Sequence, residues 1–166
     1  MKVLVITLLA LVSVSLVFGQ TLRAQLESSD AKVLKAMKAK DMATIEKLFT
    51  AASTKDFLYV ENGQKQDMKT MLQNMKLGFQ SMKKITKATL KTLTLKQTGD
   101  KAVSTRQHAM DGIMVGPDGK EHKMSFSGVS EDQYVRLNGK WLMKRMEWKS
   151  QKMLMDGKPM GAPTGG

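Results

Sequence analysis

The sequence contains no cysteine. Disulfides, thiolate metal sites and a lipid-bearing cysteine are therefore excluded, and stability has to come from packing alone, even in an oxidising compartment. Histidine is nearly absent too. His108 and His122 are the only two, and with no histidine or carboxylate motif close by they do not read as a zinc site. There is no Gly-rich phosphate loop and no G-x-S-x-G elbow, so neither P-loop nucleotide chemistry nor an α/β-hydrolase nucleophile is expected. No cofactor and no metal are called for. Acidic residues are scarce, 15 against 27 Lys and Arg, for a net charge of +12. Such a balance suits an anionic partner. The lysines are nevertheless scattered, and Lys69, Lys76 and Lys83 recur every seven residues beside Met68, Met75 and Met82, the pattern of a solvated helix flank. Nucleic acid is not the expected partner; weak electrostatic association with an anionic envelope surface is the side reading.

One long apolar run exists. Val3 to Phe18 follows Lys2 and precedes Gly19-Gln20, which reads as a signal peptide over residues 1–19, because a mainly apolar run of 16 residues falls short of the roughly 20 that span a bilayer. The expectation is export to the periplasm or the extracellular space after cleavage. What remains is the size of one domain, residues 20–155, followed by a Gly- and Pro-containing tail over 156–166 that is expected to be flexible.

Residues 29 to 52 carry helical periodicity, with Val33, Leu34 and Met37 on one face and Ile45, Leu48 and Phe49 resuming after Asp41, a good N-cap. Two helices, or one bent helix, account for it. DFLYVENGQ reads as a short strand ending at Asn62-Gly63, and a third helix runs from Asp67 to about Lys84, with Gly78 as a point of close approach. Thr89–Gln97, Ala102–Val115, Glu121–Leu137 and Trp141–Met153 then read as a four-stranded antiparallel meander. Helices ahead of a long meander imply an α+β domain whose curved sheet carries the helices on one face.

The last hairpin fixes a register. Asn138-Gly139 predicts a two-residue type I′ turn, which sets Arg136 opposite Trp141, Tyr134 opposite Met143, Asp132 opposite Arg145 and Ser130 opposite Glu147. One face then carries Asp132, Tyr134, Trp141, Met143, Arg145 and Glu147, with Asp132 and Arg145 as a cross-strand ion pair. The other carries Val129, Val135, Leu142, Met146 and Trp148, too much apolar surface to leave in water. His108 depends on the GPDGK loop: a four-residue loop points it outward and Asp111 inward, whereas three or five residues turn His108 inward.

AKDMATIEKLF before the second helix and YVRLNGKWLM at the last hairpin resemble the SnoaL-like (DUF4440-type) branch of the nuclear transport factor 2-like superfamily, most specifically at Lys40-Asp41 and Gly139-Lys140-Trp141. The resemblance covers about Asp30 to Lys152. It implies a cone-shaped roll, N-terminal helices on a curved four-stranded sheet, enclosing an apolar pocket, and an outer sheet face used for homodimerisation. On that frame the expected ligand-binding residues are Tyr59, Phe126, Asp132, Tyr134, Trp141, Met143 and Arg145, with Arg145 meeting an anionic or carbonyl group. His108, Asp111 and Glu147 are the candidates for proton transfer, should the protein be an isomerase or dehydratase rather than a binder of a small, partly apolar molecule. The competing reading of the charged residues is a structural ion pair at the sheet edge. Thioether capture of Cu(I) is disfavoured, since Met68, Met71, Met75 and Met82 fall on a helix face that must be core.

Overall fold

The computed structural model describes residues 21–160. The expected signal peptide, residues 1–19, lies outside them, as does the end of the tail.

Helix α1 (Leu22–Ala39) starts earlier than the periodicity from residue 29 suggested, because Thr21 caps it and Leu22 and Leu26 give it a buried first face. Lys40 at φ 56° ends it, and Asp41 caps α2 (Met42–Ala52), accepting from Thr44 N at 3.0 Å. Strand β1 (Ser53–Glu61) turns back at Asn62-Gly63 into β2 (Gln64–Gln66). Helix α3 (Met68–Ser81) is capped by Asp67, and buries Met71, Leu72 and Phe79. Gly78 has open space around it, so the expected close approach is absent. The remainder is β3 (Met82–Thr98), β4 (Lys101–Val115), β5 (Glu121–Leu137), β6 (Lys140–Met155) and β7 (Lys158–Pro159). Among the described residues no helix is long and apolar enough to cross a membrane.

The sheet has seven strands rather than four, in the order β2-β1-β6-β5-β4-β3, with β7 on β6. The meander is as expected. What the sequence pattern did not show is that β1 adds in parallel to β6, Tyr59 opposite Met146, carrying β2 with it. The tail's first residues are ordered as well: Asp156 (φ 50°) and Gly157 (φ 78°) make the same left-handed turn as Asn138-Gly139, and β7 pairs with the end of β6. An Asp-Gly pair is as good a hairpin signal as Asn-Gly. Register shifts in β3 and β6 mark bulges, which bend and coil the sheet around the helices.

One bulge corrects the predicted register. Pairing holds from Leu137–Lys140 to Tyr134–Met143, then shifts, so that Asp132 faces Met146, Gln133 faces Arg145, and Ser130 faces Trp148. Lys144 is the extra residue. A one-residue insertion reverses the side chains that follow, here as far as a second insertion at Lys149, so Met146 and Trp148 turn to the helix side while Arg145 and Glu147 turn away. The expected Asp132–Arg145 pair does not form, and the outer apolar patch keeps Val129, Val135 and Leu142 only.

The ladder between β4 and β5 is uninterrupted, Val115 opposite Glu121, which makes the loop five residues long. His108 accordingly sits opposite Gly128 on the inner face and Asp111 on the outer one. Beside that loop His122 bridges two carboxylates, Nδ1 to Asp156 Oδ2 at 2.7 Å and Nε2 to Asp118 Oδ1 at 3.3 Å. Hydrogen bonding to Asp156 and then Asp118 raises the His122 pKa above its ordinary 6.5; the bond to His122 holds the Asp156 carboxyl low, and the Lys120 N–H, then His122, does the same for Asp118. The stabilisation is fully present below about pH 6.5, is lost as pH rises through the raised histidine value, and is lost again as pH falls through the depressed carboxylate values. Thermal melts should show His122→Ala differing most from wild type in the window between, and converging with it as pH rises past the raised histidine value. An equal difference at high pH would remove the histidine from the account.

Candidate functional site

The inner face of β4 runs Ala102, Ser104, Arg106, His108, Met110, and that of β5 runs Phe126, Gly128, Ser130, Asp132, Tyr134. Small residues flank the long polar ones, so Arg106 and Asp132 lie deep: they are 5% and 1% exposed, and Ser104 and Ser130 are fully buried. Arg106 reaches two carboxyls. Its Nη2 lies 2.5 Å from Asp30 Oδ2 of α1 and its Nη1 3.8 Å from Asp132 Oδ2. The Tyr134 hydroxyl donates to the same Asp132 oxygen at 3.2 Å. Asp132 Oδ1 and Arg106 Nε are buried without a hydrogen-bond partner among the described residues.

Burial pushes Asp132 up to about 6, against the pull of Arg106. Asp30 is raised for the same reason, again opposed by Arg106. Burial, then the charge of Arg106, drives His108 down to about 3, so the ring is neutral at ordinary pH, with Nε2 2.9 Å from Ser130 Oγ.

Above this floor lies a cavity of about 370 Å³. Helix residues Val33, Leu34, Ile45, Phe49, Met75 and Phe79 form one wall, and Leu90, Met110, Phe126, Met143, Met146 and Trp148 the other; Asp30, Arg106, His108 and Asp132 are at its polar end. Trp148 organises the sheet-side wall. Its Nε1 donates to Tyr59 OH at 2.8 Å, and that hydroxyl donates to Glu61 Oε2 at 3.1 Å. The indole packs 4.7 Å from the His108 ring and edge-on to Phe126 at 5.4 Å. It lies over Gly128, where a Cβ would stand 2.7 Å from Trp148 Cζ3 and 2.8 Å from Ser150 O. Only glycine leaves room for the ring.

Of the residues singled out from sequence, Tyr59, Phe126, Asp132, Met143 and His108 line the cavity. Tyr134 and Trp141 are buried in the core beside it, Tyr134 touching the site through Asp132. Arg145 and Glu147 bind each other at 2.9 Å on the far side of the bulge, and Glu147 also meets Lys149 at 3.2 Å, so neither reaches the cavity; nor does Asp111. Sequence reasoning missed Asp30, Arg106 and Ser130. Signals for two of them were present. Asp30 is spaced three, four and seven residues before Val33, Leu34 and Met37, hence on the same helix face, and Arg106 shares the period-two phase of Ala102, Ser104 and His108.

A SnoaL-like domain model matches residues 21–147, most of the chain. The chain belongs to the SnoaL-like family. Among curated proteins, none matches its sequence. Solved structures share the fold of this SnoaL-like domain at low identity. The Kfla4162 protein of Kribbella flavida is 11% identical with a TM-score of 0.60, over 78% of this chain and 92% of that one. A conserved protein of Planctomyces limnophilus is 13% identical, TM-score 0.59, over 75% and 92%. Hexachlorocyclohexane dehydrochlorinase LinA-type3 of Novosphingobium barchaimii is 14% identical, TM-score 0.59, over 84% and 90%. The SnoaL-like cone is thus the architecture, a curved unclosed sheet with three helices on its hollow side.

Proposed function

We propose that this SnoaL-like domain binds a small, partly apolar molecule in the cavity between helices and sheet. The observation that carries the reading is the cavity itself, about 370 Å³ with apolar walls closing over a buried polar floor, the composition of small-ligand sites in general. Leu90→Trp should fill it from the β3 side while leaving the fold intact. Native mass spectrometry of the expressed chain is expected to show a co-purified small molecule on wild type and none on the variant. Absence of any adduct, together with unchanged melting across a lipid and metabolite panel, would count against the proposal. The same spectrum tests two companion proposals: export, by a mature mass beginning at Gln20, and homodimerisation through the outer face around Val129, Val135 and Leu142, by two copies per particle.

A second reading has one observation in its favour. Asp132 combines a pKa of about 6 with an unpartnered oxygen beside the cavity, a suitable acid or base for isomerisation or elimination near neutral pH. The structural likeness to LinA-type3 supports the same fold only. Turnover that disappears in Asp132→Asn, with binding retained, would mark an enzyme; turnover that persists would rule Asp132 out.

A further inference from the structure

We infer that the occupant of the cavity is an uncharged, mostly apolar alcohol whose hydroxyl meets Asp132 at the floor. The inference rests on the binding reading above and gives it a ligand class.

The charges around the cavity argue first against an anion. Arg106 is the one guanidinium among the described residues that line it, no lysine joins it, and three carboxyl groups do: Asp30, Glu61 and Asp132. Arg106 is already engaged by Asp30 and Asp132. A carboxylate or phosphate would therefore enter a site with no unmatched positive charge, and lose its water for nothing. His108 does not help, being neutral.

A cation faces a different competitor. The surplus negative charge of the Asp30–Arg106–Asp132 group can be cancelled by an ammonium, which must be stripped of water and set near the guanidinium, or by a proton on Asp132. With Asp132 at about 6, protonation near pH 7 disfavours the state only about tenfold. Removing an ammonium from water is far more costly. The proton wins, and the ligand stays neutral; carried on Oδ2, where the Tyr134 hydroxyl oxygen can accept it, that proton leaves Oδ1 an acceptor.

The unpaired atoms then select the functional group. Asp132 Oδ1 and Arg106 Nε are an acceptor and a donor, both buried and both without partners among the described residues. A carbonyl would satisfy only the guanidinium and an N–H only the carboxyl, whereas a hydroxyl both donates and accepts. Of the other polar groups near Asp132, Tyr134 is committed to Asp132 Oδ2, His108 to Ser130, and Tyr59 to Trp148 and Glu61; the Ser104 hydroxyl, opposite Asp132 on β4, is also without a partner among the described residues, but Ser104 does not line the cavity.

The closing experiment uses the expressed chain and one matched series, 4-phenyl-1-butanol, its methyl ether, 4-phenylbutyrate and 4-phenylbutylammonium, titrated by calorimetry between about pH 5 and pH 8. The alcohol should bind about tenfold or more tightly than the ether, which has lost the donor, and than either charged member, because the site's buried polar atoms are otherwise left unmet. Its affinity should rise as pH falls through the titration of Asp132. Asp132→Asn, the shape of the protonated acid, should keep alcohol binding and flatten that profile. Ether and alcohol binding equally, a charged member binding tightest, or an unchanged pH profile in Asp132→Asn would each overturn the inference while leaving the cavity a binding site. No member binding would remove both.

Discussion

Replacing Arg106 by methionine should destabilise the protein by about 3–5 kcal/mol, the usual cost of removing one partner from a buried ionic group. Melting would fall by roughly 10 °C or more at neutral pH, given about 2–4 °C per kcal/mol for a chain of this size. The reason is the loss of the cation that, alone among the described residues, pairs with both Asp30 and Asp132, at 2.5 and 3.8 Å. Both carboxyls are already raised by burial and lowered by Arg106, so its removal raises them further. A carboxyl whose folded pKa exceeds its unfolded one stabilises the protein fully below the unfolded value, and that contribution is lost as pH rises through the folded one. The deficit of Arg106→Met should therefore shrink on acidification, and adding Asp132→Asn to it should recover part of the loss at neutral pH. A single variant that melts like wild type at pH 7, or a double variant no better than the single one, would mean that the three groups do not act as a unit.

The second large effect is expected at Trp148. Truncation to alanine removes an indole that fills the space over Gly128, packs on His108 and Phe126, and donates to Tyr59. About 3 kcal/mol should be lost, read as a shift in the urea midpoint. Gly128→Ala in the wild type should also destabilise, by about 1–3 kcal/mol, through overpacking. In the Trp148→Ala background that penalty should be smaller, since the ring contact at 2.7 Å is gone while Ser150 O remains at 2.8 Å. The cycle measures the coupling directly; strictly additive changes would show that glycine is present for another reason.

How far the sequence could be read is clearest along β6. The Asn138-Gly139 turn sets the first four pairs correctly, because a type I′ turn leaves one register. Beyond Met143 strict alternation was extended where the chain itself signals a break: Trp141-x-Met143 and Met146-x-Trp148 are two alternating pairs out of phase, and a bulge brings all four to the same side. Reading that phase change would have moved Arg145 and Glu147 out of the candidate site and Trp148 into it. The uninterrupted β4–β5 ladder was undecided for a simpler reason, since the loop length alone fixes the face of His108. Helix caps at Asp41 and Asp67 were legible because a side chain meets a neighbouring N–H. The Asp30–Arg106–Asp132 group was not, because three elements distant in sequence converge there and no local pattern records it.

The parallel union of β1 with β6 has a consequence for how the molecule comes into being. Tyr59 and Trp148, which meet across it, are 89 positions apart, and contacts of such long sequence separation are slow to form. A chain leaving the ribosome can make its helices and early hairpins, but the hollow acquires its last side only when nearly the whole polypeptide has been synthesised. Capacity to hold a guest is therefore among the final properties to mature, and premature truncation anywhere before Trp148 leaves the helices on β3 and β5 but the hollow without the wall that β6 supplies.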